Sequence, residues 1–127
     1  MSHRTNLHHV DDMIEYGERA VTYLGGRSLP ELLSDTMRSD AVARAVEIMG
    51  EACKRLPDAV KDRFPSVPWR NIARTRDKLI HHYDGVNWTI VWDIVSAHIP
   101  AAIVELRAIR DILRAEEPPQ PEVPPDA

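Results

Sequence analysis

Residues 64–88 read FPSVPWRNIARTRDKLIHHYDGVNW, and the order of helix breakers and helix formers in this stretch decides the fold. Its two prolines each remove a backbone donor and restrict the preceding residue, so the stretch begins with a structured corner. Pro68 suits the first turn of the helix that follows, which we expect to run from Trp69 to about Tyr83. Gly85 ends that helix, and Asn87 can cap the next one.

Outside that stretch, apolar residues recur at helical spacing along almost the whole chain, whereas the alternating pattern of a strand is hard to find. Ser28 stands three residues before Glu31, which is the spacing of a capping box and predicts a short helix there. Pro100 is expected to interrupt or kink the helical run that follows Asn87. Longer helices are expected at about Asn6–Leu24, Asp40–Leu56 and Ala101–Ala115. The sequence therefore predicts an all-α fold.

The chain of 127 residues fits one domain, because single cores commonly serve about 100–200 residues. Five of its ten prolines lie in residues 117–127, so we expect a helical domain at 1–116 followed by a flexible proline-rich tail. No stretch approaches the roughly 18 uninterrupted apolar residues of a membrane span, and the N-terminal residues lack the apolar block of a secretory signal. These features predict a cytoplasmic protein without membrane contact.

The formal charge of −4 hides an uneven distribution along the chain. Residues 54–82 contain eight lysines and arginines against three acidic residues and carry +5, so the remainder carries −9. A basic cluster of this kind fits the solvated surface of a helix, since such clusters are common on soluble proteins. It also fits a stripe that binds phosphate groups. Both interpretations stay open at this point.

Four polar side chains share one spacing pattern, RxxxxHxY with a polar residue directly after the arginine: Arg76, Asp77, His81 and Tyr83. Arginine and histidine are common, so this spacing occurs by chance in many sequences and is weak evidence by itself. The frame around it is more specific, because the pattern sits between the proline corner and a glycine turn that leads into a Val-Trp helix. This frame, together with Gly50-Glu51-Ala52, resembles the HepT-like members of the HEPN family over about residues 6–113.

The resemblance implies an up-and-down helical bundle of the HEPN type with additional short helices. It implies a ribonuclease that uses no metal and no cofactor, with Arg76 and His81 as the catalytic residues. Asp77 would be a supporting polar residue at a place where family members often carry asparagine. His82 stands directly beside His81, so two histidines are available for one role.

The resemblance also implies partners. It describes the toxin of a toxin–antitoxin pair of the type VII kind, which acts on RNA as a homodimer and is neutralised by a minimal nucleotidyltransferase antitoxin of the MntA kind. That antitoxin would transfer AMP to Tyr83. Taken by itself, Tyr83 also fits a bundle aromatic with its hydroxyl near solvent. The alternative function is a non-catalytic HEPN dimer that binds RNA or nucleotide, or that partners a nucleotidyltransferase.

The residue types suit metal-independent RNA cleavage, in which the ribose 2′-hydroxyl attacks the adjacent phosphate and leaves a 2′,3′-cyclic phosphate. Imidazole moves protons near neutral pH, and the planar fork of arginine binds phosphate oxygens. At about 100° per residue, however, His81 is rotated roughly 140° from Arg76 on one straight helix. Loosening of the helix near His81, or a two-fold partner, would bring the two side chains together.

Other candidate residues favour structural roles. Cys53 falls on an apolar helical pattern and is expected to pack as a small hydrophobe. Adjacent histidines on a helix point about 100° apart, which makes the two histidine pairs poor metal sites. Phosphate-loop, dinucleotide-binding, serine-hydrolase and zinc-protease motifs are absent from the sequence. The three tryptophans are expected in the core or at a dimer interface: Trp69, Trp88 and Trp92.

Overall fold

The computed structural model describes residues 5–81 and 85–117, with the side chain of residue 81 outside that description. Within these ranges every regular element is helical, so the predicted all-α fold is confirmed. In chain order the elements are α1 (Asn6–Leu24), α2 (Leu29–Leu33), α3 (Thr36–Arg55), α4 (Asp58–Arg63), α5 (Trp69–His81), α6 (Trp88–Asp93), a π-helical turn (Ile94–His98) and α7 (Ile99–Glu116). The tail predicted at 117–127 lies outside the described residues from position 118 onward.

The long helices form the expected bundle. Helix α1 packs against both α3 and α7, and α5 packs against α3. The core side chains with no exposed surface come from several of these helices and include Val10, Met13, Val46, Met49 and Leu106. Burial of one such side chain contributes about 1.5–3 kcal/mol, so the apolar stripes predicted from the sequence hold the bundle together.

The ends of the first two helices follow the signals in the sequence. Gly25 ends α1 in the left-handed region (φ 57°), where a glycine carries no steric penalty. Ser28 and Glu31 form the predicted capping box at the start of α2. The Ser28 hydroxyl accepts from the Glu31 backbone N–H (3.3 Å), and the Glu31 carboxylate accepts from that of Ser28 (3.1 Å).

Helix α3 begins at Thr36, four residues earlier than the sequence predicts. The Asp35 carboxylate accepts a hydrogen bond from the Arg38 backbone N–H (3.1 Å) and so caps an extra turn. The Arg38 guanidinium also donates to the carbonyl of Tyr23 in α1 (2.6 Å). Because this second contact comes from a distant part of the chain, the position of the helix start depends on tertiary structure. The short helix α4 was also not predicted.

Pro100 was expected to interrupt or kink the helical run; the chain stays helical from Trp88 to Glu116, but the regular α-helix gives way to a π-helical turn just before the proline. In a regular α-helix the proline ring clashes with the carbonyl four residues earlier. Here the residues directly before α7 form the wider π-helical turn, and Pro100 falls in the first turn of α7. A missing N–H costs least in a first turn, so the change of helical spacing accommodates the proline.

The same run, Trp88–Glu116, is long and apolar enough to cross a membrane by length and composition alone. Its inward side belongs to the bundle core, where Ile99, Leu106 and Leu113 are buried. A single helix of this kind is also what the core helix of a globular protein provides. The length and composition of this run are therefore weak evidence for a membrane span.

Candidate active site

The proline corner fixes the start of α5. The indole Nε1 of Trp69 donates to the carbonyl of Phe64 (2.9 Å), and the Trp69 backbone N–H donates to that of Val67 (2.8 Å). From α3, the buried thiol of Cys53 donates to the Trp69 carbonyl (3.4 Å). Trp69 is thus a packing residue, as the sequence predicts, and these contacts set where α5 meets α3.

Helices α3 and α5 lie very close together where Gly50 faces Arg76. A methyl group placed on Gly50 would lie 2.9 Å from Cγ of Arg76 and 3.1 Å from the Ile72 carbonyl oxygen, and closer still to Cβ of Arg76. Only a residue without a side chain fits this crossing. The Arg76 side chain is 20% exposed, so the arginine leaves the crossing with its guanidinium partly covered by α3.

Two carboxylates hold the Arg76 guanidinium. Nη2 lies 2.5 Å from Oε2 of Glu51 on α3, and Nη1 lies 3.1 Å from Oδ1 of Asp77 on α5. Each carboxylate has a second cationic partner, because Lys54 Nζ lies 2.8 Å from Asp77 and Arg55 Nε lies 3.1 Å from Glu51. These five side chains form one network, which we call the Arg76 network.

The Arg76 network contains three cations and two carboxylates, so it keeps one net positive charge. The hydrogen bond from Lys54 is the main cause that lowers the pKa of the Asp77 carboxyl, and Arg76 adds to it. Asp77 is therefore ionised around neutral pH. An anion such as a phosphate would meet a guanidinium that two carboxylates orient and a local charge that still favours anion binding.

Helix α5 remains α-helical as far as residue 81, so the loosening considered for this position does not begin before it. Residue 81 is five positions beyond Arg76, which is about 140° around the axis of a regular helix. The predictions made for the side chain of His81, for His82 and for Tyr83 lie outside the described residues. Of the predicted site residues, the structure therefore brings together Arg76 and Asp77.

Sequence reasoning missed the roles of Glu51, Lys54 and Arg55. Glu51 is 25 positions from Arg76 along the chain, and nothing in local spacing connects two residues on separate helices. The available signal was Gly50, because a glycine within an amphipathic helix marks a close approach of another helix. A charged residue beside such a glycine therefore lies close to the side chains of the helix that crosses there.

Two other candidate chemistries have little support in the described residues. Burial raises the pKa of the Cys53 thiol to about 11, so the thiolate that a cysteine nucleophile requires is scarce at neutral pH. Across residues 5–81 and 85–117, apart from the side chain of residue 81, no three His, Cys, Asp or Glu side chains come together in a group that could hold a metal ion.

Comparisons with known proteins give the chain's relatives. The family model described as "Ribonuclease HepT-like" matches residues 13–109, which include all of α3, α5 and α6. A protein of Methanocaldococcus jannaschii, named as a candidate RNase, is 39% identical over 106 residues, which cover 84% of this chain and 88% of the relative.

Two further relatives come from other organisms. A candidate RNase of Caldanaerobacter subterraneus subsp. tengcongensis is 34% identical over 115 residues, covering 90% of this chain and 99% of the relative. A protein of Thermococcus cleftensis named "Probable ribonuclease HepT" is 39% identical over 98 residues, covering 77% and 89% respectively. No solved structure matches the chain significantly.

Proposed function

Because the chain belongs to the HepT-like ribonuclease family, we propose that it is a metal-independent endoribonuclease with Arg76 and His81 as its catalytic residues. The observation that carries this proposal is the Arg76 network. Arginine 76 occupies the arginine position of RxxxxHxY and is held in place by Glu51 and Asp77 where α5 crosses α3. A guanidinium held in place in this way can stabilise the negative charge that develops on the phosphate in the transition state.

In the proposed reaction the ribose 2′-oxygen forms a bond to the adjacent phosphorus, and the bond from phosphorus to the 5′-oxygen breaks. The proton of the 2′-hydroxyl goes to a base, and the departing 5′-oxygen receives a proton from an acid. His81 supplies imidazole for these transfers, and Arg76 binds the phosphate oxygens. The products are a 2′,3′-cyclic phosphate and a 5′-hydroxyl end.

We further propose that the working unit is a homodimer with composite sites. The helical spacing separates residue 81 from Arg76 by about 140° on one α5. A two-fold axis beside α5 would place Arg76 of one copy near His81 of the other, and the same axis would generate a second identical site.

The purified protein is expected to cut RNA in the presence of EDTA, because the proposed chemistry uses imidazole and guanidinium groups alone. The measurement is gel analysis of a labelled RNA incubated with a nuclease-free preparation, with the His81→Ala protein purified in parallel as the control for contaminants. Binding of RNA without cleavage of any substrate would contradict the enzyme and support the non-catalytic HEPN dimer.

Control of the activity would come from a cognate nucleotidyltransferase antitoxin, with the pair acting in the cytoplasm where RNA is made. The phenol oxygen of Tyr83 would attack the α-phosphate of ATP, releasing pyrophosphate and giving up its proton. The attached AMP would carry a negative phosphate into the region of the RxxxxHxY pattern, where it can engage Arg76 and repel RNA phosphate.

Tyr83→Phe is expected to cut RNA at the parental rate and to escape silencing by the antitoxin and ATP, because it lacks the acceptor oxygen but keeps the ring. Intact mass and peptide mapping after incubation with the antitoxin and ATP measure the modification. Equal modification of wild type and Tyr83→Phe, or silencing of wild type without added mass, would reject Tyr83 as the acceptor. Tyr16→Phe, on α1, serves as the matched control.

A further inference from the structure

Seven of the eight lysines and arginines of segment 54–82 fall into two groups in the structure, and the eighth, Lys61, lies on α4 and is only partly exposed. Those with a carboxylate partner are Lys54, Arg55, Arg63 and Arg76. In contrast, Arg70, Arg74 and Lys78 are exposed on α5, and no ion pair involves them in the part of the chain that the structure describes. We call these three residues the α5 basic stripe, since their charge is not neutralised within the described chain.

The spacing of the stripe is regular. Successive members are four residues apart, which in an α-helix is a rise of about 6 Å and a rotation of about 40°. The three cations therefore form one shallow line along the exposed side of α5, about 12 Å long. Such a line matches a flexible polyanion with evenly spaced charges better than it matches a single small anion.

A depression of about 180 Å³ adjoins the stripe, between α5 on one side and α6 with the π-helical turn on the other. Its lining is mostly polar and includes Asn71, Arg74, Thr75, Lys78, Asp93 and His98. The one carboxylate among these residues, Asp93, lies 3.4 Å from Nε2 of His98. Arg74 and Lys78 carry two positive charges against the one negative charge of Asp93, so the depression keeps a net positive charge. Single π-helical turns within helices are frequent at functional sites, which is a second reason to assign a ligand to this depression.

The stripe also lies on a definite side of α5. Residue 81 follows Arg74 by seven positions, or two turns, so its Cα falls on the same side as the stripe. Arg76 lies on another side, against Gly50 and Glu51 of α3. A strand bound along the stripe would therefore approach residue 81 of the same copy rather than its Arg76.

We propose that the α5 basic stripe, with the adjoining depression, binds the phosphodiester backbone of an RNA single strand and leads it to residue 81. This inference deepens the proposed ribonuclease function and rests on it. It also fits the composite site, because the phosphate that reaches residue 81 of one copy would meet Arg76 of the second copy. The occupant is an RNA strand because its evenly repeated negative charges complement the three unpaired cations.

The test is the salt dependence of RNA binding by the full chain carrying Arg70→Gln, Arg74→Gln and Lys78→Gln together. The probe is a short labelled RNA with 2′-O-methyl riboses, which lacks the attacking hydroxyl and reports binding whether or not the protein cuts. The logarithm of the association constant falls as the logarithm of the salt concentration rises. Loss of three phosphate contacts should make this negative slope shallower by about two. Between 50 and 200 mM salt, the wild type should lose about 20-fold more affinity than the variant.

The matched control removes three exposed cations elsewhere: Arg19→Gln on α1, Arg44→Gln on α3 and Arg114→Gln on α7. It has the same net charge as the stripe variant and should keep the wild-type slope. If the stripe triple variant does not fold, as judged by circular dichroism, Arg74→Gln alone should lower the slope by about 0.7.

Two results would overturn the inference. One is a folded stripe variant whose RNA binding has the same salt dependence as that of the wild type. This result would overturn the inference even if the variant had lost binding to a protein, because the stripe would then be a protein-binding surface. The other is an equal decrease in the control variant, which would show a dependence on net charge alone. Neither result depends on cleavage, because the 2′-O-methyl probe is not cut. Failure of the proposed enzymatic function would be seen in a separate assay, in which RNA with free 2′-hydroxyl groups stays intact.

Discussion

His81→Ala is expected to lower the rate of RNA cleavage by about 10²–10⁴-fold while leaving helical content unchanged, because general acid–base catalysis by a histidine contributes a factor of that size. Position 81 is the last residue of α5, so the substitution falls at a helix end and not in a helix interior. Rates under single-turnover conditions on a defined RNA give the measurement. His82→Ala is the matched control, and a parental rate there assigns the role to His81 alone.

Arg76→Ala should cause a comparable loss, and the two inactive proteins offer a sharper experiment. When they are mixed and allowed to exchange subunits, half of the random dimers combine one copy of each. In a composite arrangement each mixed dimer contains one complete site, so about a quarter of the wild-type activity should return. A His81→Ala protein with the parental rate would contradict the catalytic assignment, and a mixture without recovery would contradict the composite site.

Gly50→Ala is expected to lower cleavage by about 100-fold, because a displacement of about 1 Å in a catalytic group can cost that much. The added methyl group would collide with Cβ and Cγ of Arg76 and with the backbone carbonyl of Ile72, so α5 must move away from α3. Overpacking of this kind costs about 1–3 kcal/mol, against about 1 kcal/mol gained from the better helix former. Thermal unfolding and cleavage rates of the same preparation measure both effects.

Gly17→Ala on α1 is the matched control. Its methyl group would meet only side-chain atoms of the core, 3.2 Å from Cε of Met49 and 3.3–3.4 Å from atoms of Ile103 and Ile99. Small side-chain shifts can accommodate these contacts, so specific activity should stay at the parental level. A Gly50→Ala protein as active as the Gly17→Ala protein would show that the close crossing does not position Arg76.

Much of the fold could be predicted from the sequence because the deciding signals are local. The Ser28 capping box, the left-handed glycine after α1 and the proline corner before α5 each depend on residues within a few positions. The early start of α3 could not be predicted in this way, since it also depends on the contact between Arg38 and the Tyr23 carbonyl. The π-helical turn before Pro100 was also not predicted, because the sequence indicated only that the proline would interrupt or kink the helical run.

In the candidate site, too, some residues could be predicted from local sequence and others depend on tertiary packing. Arg76 and Asp77 were predicted because the pattern RxxxxHxY is a local spacing in the sequence, and the structure places both in one network. Glu51 and Lys54 belong to α3, and only the packing of α3 against α5 brings them to Arg76 and Asp77. Local spacing therefore identified the candidate residues, whereas the orientation of their side chains depends on contacts between residues more than 20 positions apart.

The central claim is most directly tested by the ends that cleavage leaves on RNA. A single-stranded RNA is incubated with the purified protein in EDTA, beside the same oligonucleotide carrying a 2′-deoxyribose at the cleaved position, and the products are identified by mass spectrometry. We expect the all-ribose strand to yield a 2′,3′-cyclic phosphate and a 5′-hydroxyl, and the deoxy-substituted strand to stay intact at that position. Cleavage of the deoxy-substituted strand there, or products ending in 5′-phosphate, would contradict the reaction proposed for Arg76 and His81.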